Sequence, residues 1–212
     1  MAFLADNLAM RLPLRQAAVR ACNQRSALRH LLLAFGLSLA AFGAAPEPPK
    51  NETEVKADYL FLFTKYVEWP AAALTKPGEP IVIGVIGDEA IGDALERRVE
   101  GRLTQSGRKV TIRRARQPAD LGGCHVTFVG QGERGRLPKI TEALGTQPTL
   151  TVCDAEGLFT QGLMIKFVLV EGSVRFEVKL EPVERVGLSI QSGMLASAKR
   201  VWRKASTSLV PP

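Results

Sequence analysis

Between Val55 and Trp69 the apolar positions recur with helical spacing. At about 100° per residue, Val55, Tyr59, Leu60, Leu62, Phe63, Tyr66, Val67 and Trp69 fall on one half of a wheel, and Glu54, Asp58, Thr64, Lys65 and Glu68 on the other. This predicts an amphipathic helix laid on a core. Asn51 followed by Glu54 resembles a capping box with Asn as the cap, so the helix starts near there. Pro70 keeps the preceding residue out of helical geometry, so the helix stops near Glu68. Lys56 lies near the edge of the apolar arc and must carry its ammonium out to water. Phe61 is the misfit, because it points from the polar face. Either a loop or neighbouring helix covers it, or it is a contact surface for another chain. Tyr59 to Trp69 holds five of the thirteen aromatic residues, both tyrosines included. Each ring buries a large apolar area, so this stretch is the expected packing centre.

Further along, the period shortens. Ile81 to Gly87 is a continuous apolar run, the pattern of a strand buried on both faces. Ile91, Leu95 and Val99 mark a helix. Val110 and Ile112 mark an alternating strand over Lys109 to Arg114. Cys124 to Val129 is a third strand, Leu137, Ile140 and Leu144 mark a short helix, and Thr149 to Cys153 is a fourth strand. Alternating strands and helices imply parallel pairing with right-handed crossovers.

The pattern then changes to a hairpin, Met164–Val170 and Ser173–Leu180 about Glu171-Gly172. Folding there pairs Leu169 with Val174, Phe167 with Phe176 and Ile165 with Val178 on one face. The other face pairs Lys166 with Glu177 and Val168 with Arg175. Apolar meets apolar and one opposite-charge pair falls into place; a slip of one residue would scramble the set. The charged face is expected to be wet or to meet a partner. A helical turn follows over Glu181–Val186, ended by Gly187, and Leu188-Ser189-Ile190 reads as extended. Ser192 is then the expected cap of a last helix carrying Met194, Leu195, Ala198, Val201 and Trp202 on one face. Lys199, Arg200, Arg203 and Lys204 suit its C-terminal end. The fold expected is three-layer α/β, a mixed and mostly parallel sheet with flanking helices and a C-terminal β-hairpin.

Charge changes this picture little. The formal charge is +7 over 212 residues, but residues 1–45 hold five arginines against one acid, which leaves +3 for the rest. With no basic stripe interleaved with aromatics, nucleic-acid binding is not indicated. The arginines instead precede an apolar run of about fourteen residues within His30–Ala45, too short for a stable span. Gly43 and Ala45 form a small-residue cleavage site, so residues 1–45 read as a secretory signal peptide. Met10 offers an alternative start. Residues 46–52 read as a linker, 53–205 as one domain and 206–212 as a disordered tail. The rest of the chain is expected outside the cytoplasm.

Chemistry-bearing residues are few. Beyond the leader, His125 is the single histidine and sits in an apolar strand, which reads as a satisfied structural histidine. No G-x-S-x-G elbow is present, and a transition-metal site needs more His or Cys than the domain holds. No catalytic residue, metal or cofactor is expected. Gly87-Asp88 and Asp154 follow strands, where open sheets bind ligands, although Asp88 or Glu89 also suits a helix start. Cys124 opens its strand and Cys153 ends another. On parallel neighbours they would lie roughly 13–17 Å apart, too far for a disulfide, so two buried free thiols are expected.

Taken in order, these segments resemble the YfiR family of periplasmic proteins. The resemblance rests on Tyr66-Val67-Glu68-Trp69-Pro70, Ile81-Val82-Ile83-Gly84-Val85-Ile86-Gly87-Asp88, Cys124-His125-Val126, Leu150-Thr151-Val152, Gly162-Leu163-Met164-Ile165, Val174-Arg175-Phe176-Glu177 and Gly187-Leu188-Ser189-Ile190. It implies a non-enzymatic regulator that binds an inner-membrane sensor protein of diguanylate cyclase or histidine kinase type. In the cyclase case it would restrain cyclic-di-GMP synthesis and biofilm formation. It also implies a homodimer and sequestration by an outer-membrane lipoprotein. Lys166 and Lys179 stand where the family often has Asn, and Cys124 lacks an obvious disulfide partner. The residues expected to meet a partner are Phe61, Glu68 and Trp69 at the helix end, and Arg175, Glu177 and Lys179 on the hairpin. The rival reading is a periplasmic small-ligand binding protein using the strand ends near Gly87-Asp88 and Asp154.

Overall fold

The computed structural model describes residues 51–203 apart from Pro77. The leader, most of the linker and the tail lie outside the described residues. Helix α1 (Glu52–Tyr66) is followed by β1 (Val67–Glu68), β2 (Ile81–Ile86), α2 (Glu89–Val99), β3 (Val110–Ala115) and β4 (Val126–Val129). Then come α3 (Leu137–Leu144), β5 (Leu150–Cys153), α4 (Glu156–Thr160), β6 (Ile165–Val170) and β7 (Ser173–Lys179). The chain ends with α5 (Leu180–Arg185), β8 (Ser189–Ile190), α6 (Ser192–Ser197) and β9 (Arg200–Trp202).

Seven strands form one sheet in the order β3-β2-β4-β5-β6-β7-β9. Neighbours from β3 to β6 are parallel, β6 and β7 are antiparallel, and β9 lies parallel to β7. Side chains alternate through β4: Val126 and Phe128 enter the core beneath α1 and α2, and Val129 enters a second core with Leu137, Ile140, Leu158 and Phe159. The result is the three-layer α/β arrangement that the run of strands and helices predicts.

The hairpin register is the one the sequence specifies, with Leu169 opposite Val174, Phe167 opposite Phe176 and Lys166 opposite Glu177. At the turn, Glu171 and Gly172 both have positive φ (50° and 75°), the backbone a two-residue hairpin loop requires. The capping box also forms: the Asn51 side chain accepts from the Glu54 N–H at 2.9 Å, and Glu54 accepts from the Asn51 N–H.

Three expectations are corrected. Helix α1 stops at Tyr66 rather than near Glu68, because Val67 and Glu68 pair antiparallel with Ile190 and Ser189. The Tyr66 carbonyl accepts from the Gln191 N–H at 2.9 Å, a bond a continuing helix would have used for itself. Phe61 is 1 % exposed and lies under α2, with the Arg98 guanidinium 5.3 Å and the Lys65 ammonium 4.8 Å from its ring centre. It belongs to the contact between the two helices, so the covered reading holds and the open-surface reading does not. The last helix is short: Gln191, not Ser192, occupies the cap position, and Ala198 is already extended. The Lys199 N–H donates to the Phe176 carbonyl at 2.8 Å, and Arg200–Trp202 joins the sheet. The free edge of β7 offered a ladder of backbone partners, which the local periodicity did not register.

Cys124 and Cys153 are free and buried. Cys153 stands level with Val129 across the parallel pair, five residues from Cys124, or about 16 Å. Burial pushes the Cys153 thiol up to about 12 and raises that of Cys124 as well. Both thiols of the leaderless chain should react slowly when folded and titrate fully in denaturant without reductant; fewer than one thiol per chain would contradict this. Phe63 is fully buried, with ring centres 5.2 Å from Phe176 and 6.0 Å from Phe167. Phe63→Ala should cost about 3–5 kcal/mol in urea unfolding; a loss under about 1 kcal/mol would show that α1 is not held there.

Candidate functional site

Helix α1 runs about 22 Å along the sheet and connects its two ends. At the amino end, the Trp69 indole Nε1–H donates to the His125 carbonyl at 3.3 Å, and its ring lies edge-on to the imidazole. His125 Nδ1 accepts from the Val82 N–H at 3.1 Å, which leaves Nε2 to donate to the Ala73 carbonyl at 3.3 Å. Both ring nitrogens are used structurally, and burial pulls the imidazole below its ordinary pKa. Glu68 is exposed and accepts from the Gln191 side chain at 3.2 Å.

The strand order places β3 and β4 on either side of β2, so the crevice between the carboxyl ends of β2 and β4 is where an open sheet of this kind takes a ligand. Here it is filled. Gly87 has φ +80°, and a Cβ there would come within 2.5 Å of the buried Glu133 side chain. A Cβ at Gly130 would meet the Gly87 carbonyl at 2.4 Å. Asp88 accepts from the Ile91 N–H at 3.0 Å and caps α2. Close packing and capping account for Gly87-Asp88, and the ligand reading fails at that position.

The carboxyl end of β5 is open instead. Strand β6 pairs with β5 only through Ile165 and Lys166, so the hairpin continues past the sheet and leaves a cavity of about 460 Å³. Lys56 enters it from α1, with its ammonium 2.7 Å from Glu52 and 3.1 Å from Asp154. It therefore meets carboxylates rather than bulk water, which corrects the expectation for this side chain. Lys166 contacts Glu156 and lies 3.3 Å from Glu177. Burial works against both lysine charges, but the hydrogen bonds they donate to the paired carboxylates, with the attraction between the charges, outweigh it and raise both pKa values. Asp154 Oδ1 is buried with no hydrogen-bond partner. Asp154 and Glu177, far apart in sequence, thus line one cavity.

The charged hairpin face is largely covered, contrary to expectation. Glu177 is 7 % exposed, and the Lys179 ammonium donates to the Phe159 carbonyl of α4 at 2.6 Å while lying 4.2 Å from the Phe159 ring centre. Arg175 is the member of this group left exposed. Near it at the hairpin tip, Leu169 is 57 % exposed, although it lies on the hairpin's apolar face. Helix α1 begins level with the cavity and does not roof the tip. Sequence reasoning missed this residue; the signal was that the hairpin strands outrun their shorter neighbour. The structure therefore separates the expected partner residues. Glu68 and Trp69 lie at the amino end, Arg175 and Glu177 toward the carboxyl end, and Phe61 is inside.

Fold and site together define a three-layer α/β domain with a mostly parallel sheet. The chain belongs to the YfiR/HmsC-like family, whose match runs over residues 53–199. Among solved structures, a conserved domain protein from Vibrio cholerae O1 biovar El Tor is 13 % identical at a TM-score of 0.42, over 71 % of this chain and 60 % of its own. An ABC domain in complex with L-Trp from Streptococcus pneumoniae is 10 % identical at 0.41, over 57 % of this chain and 54 % of its own. The chain thus spans little more than half the length of these structures, and likenesses so distant carry no argument about activity.

The depressed His125 pKa has a definite sign. Below about pH 6.5 the unfolded chain takes up a proton that the folded imidazole resists, so stability is lost as pH falls from there through the folded pKa. His125→Gln should flatten the dependence of the urea midpoint on pH between about 7.5 and 5; an unchanged slope would show that His125 does not couple folding to pH.

Proposed function

We propose that this chain is a periplasmic regulator that binds the sensor region of an inner-membrane signalling protein, a diguanylate cyclase, and restrains cyclic-di-GMP synthesis and biofilm formation. Membership of the YfiR/HmsC-like family across nearly the whole described domain carries this reading. No helix among the described residues is long and apolar enough to cross a membrane. The mechanism is differential binding: the regulator stabilises the inactive partner by as much as it favours that state over the active one. The hairpin tip, with exposed Leu169 and Arg175, is the primary contact, and Glu68 with Trp69 is a second contact at the opposite end. A homodimer and sequestration by an outer-membrane lipoprotein complete the scheme.

A second reading, a small-ligand binding protein, draws on the 460 Å³ cavity and the unpartnered Asp154 Oδ1. A thermal-shift screen separates the two, because a ligand of the folded state raises the melting point by mass action.

Leu169→Glu should leave stability nearly unchanged, weaken capture of the cyclase from a membrane extract by about tenfold or more, and raise cellular cyclic-di-GMP toward the level of a deletion strain. Unaltered capture and unaltered cyclic-di-GMP would remove the hairpin tip from the contact.

A further inference from the structure

Strand β9 ends the sheet, beside β7, and among the described residues no further strand pairs with it. Backbone groups alternate in direction along a strand. The Lys199 N–H points inward to the Phe176 carbonyl, and Val201 continues on that side opposite Val178. The N–H and C=O of Arg200 and Trp202 therefore point away from the sheet. An edge of this kind is a template for one more strand. Its side chains are unusual for a protected edge. Trp202 is 44 % exposed, and the Arg200 guanidinium lies 4.8 Å from its ring centre. Charge alone would discourage casual pairing; an exposed indole beside that charge adds a contact surface.

The charge pattern selects the occupant. Lys199, Arg200 and Arg203 flank or form the strand, and residues 185–212 contain no Asp or Glu. A second copy added antiparallel about Val201 would place Lys199 against the partner subunit's Arg203, a like-charge pair that costs stability. An acidic strand would meet the same row with opposite charge.

We propose that the outer edge of β9 is a docking site for an extended acidic segment of a partner protein. The segment adds as an eighth strand, held by the backbone groups of Arg200 and Trp202 and by contact with the Trp202 indole. Peptide recognition by strand addition takes its affinity from main-chain hydrogen bonds and its specificity from alternate side chains. This inference rests on the reading that the chain works through protein contact. The probe below needs no cyclase, so a negative result leaves the hairpin-tip test standing.

The probe is a synthetic octapeptide of alternating Glu and Val, with a Lys–Val octapeptide as control. The acidic peptide should bind more weakly as salt rises and should slow hydrogen exchange at the Arg200 and Trp202 amides. Arg200→Pro deletes one outward N–H while leaving the inward bonds of Lys199 and Val201, and should lower affinity by about tenfold or more. If that variant melts early, Trp202→Ala carries the test, with a smaller loss and unchanged stability. Four outcomes would overturn the proposal: no binding at millimolar acidic peptide, equal binding of the basic peptide, binding without protection of the two amides, or concentration-dependent protection without peptide, which would assign the edge to a second copy.

Discussion

Tyr59 and Phe63 of α1 pack on Phe167 and Phe176 of the hairpin, with ring centres 5.2 to 6.0 Å apart. These rings join the most local piece of the chain, a capped helix, to the part with the most clearly specified register. Each aromatic contact adds to the area buried, and the offset and edge-on geometries fix the helix in rotation as well as position. The rest of the domain inherits that placement. Because α1 lies along the sheet, its first turn delivers Glu52 and Lys56 to the carboxyl end, and its last turn leads to Trp69 and His125 at the amino end.

Buried charge is the second constraint. Lys166, Glu177 and Glu133 are each less than a tenth exposed. A buried ion is costly unless paired and hydrogen-bonded. Lys166 meets both Glu156 and Glu177, and Glu133 is paired with Arg136. Such pairs do not need to add net stability. The Lys166–Glu156 pair ties α4 to the hairpin, and losing Lys166 would leave Glu177 as an uncompensated charge in the interior. Other titratable groups at the strand ends, His125, Asp88 and Glu133, are likewise committed to holding loops together.

The same packing also decides what the domain leaves exposed. The hairpin tip projects beyond α1, and β9 supplies an open backbone edge with an uncovered indole. The 460 Å³ cavity lies between Lys166 and Glu177 of the hairpin and Lys199 just ahead of β9. Contacts at the hairpin tip or the edge would therefore bear on strands that also form the cavity wall, giving a physical route by which one contact could influence another.

Local pattern was enough for much of this. The capping box at Asn51, the buried run at Ile81, the alternation about Glu171-Gly172 and the register it fixes are all interactions between residues near in sequence, so the sequence contains both partners. The two free thiols also followed from it, since strand polarity alone separates Cys124 from Cys153. The family resemblance was legible too, because it resides in the order of short motifs. Tertiary structure decided what depends on distant neighbours. Helix α2 buried Phe61, α4 engaged Lys179 through Phe159, β9 came to lie beside Glu177, and the short reach of α1 exposed Leu169. The free edge of β7 turned an apparent helix into β9. For Phe61, Glu177, Lys179 and Leu169 the periodicity was read correctly, but burial is a property of the opposing surface, which lies elsewhere in the chain; over Ala198–Trp202 the helical period itself was misread.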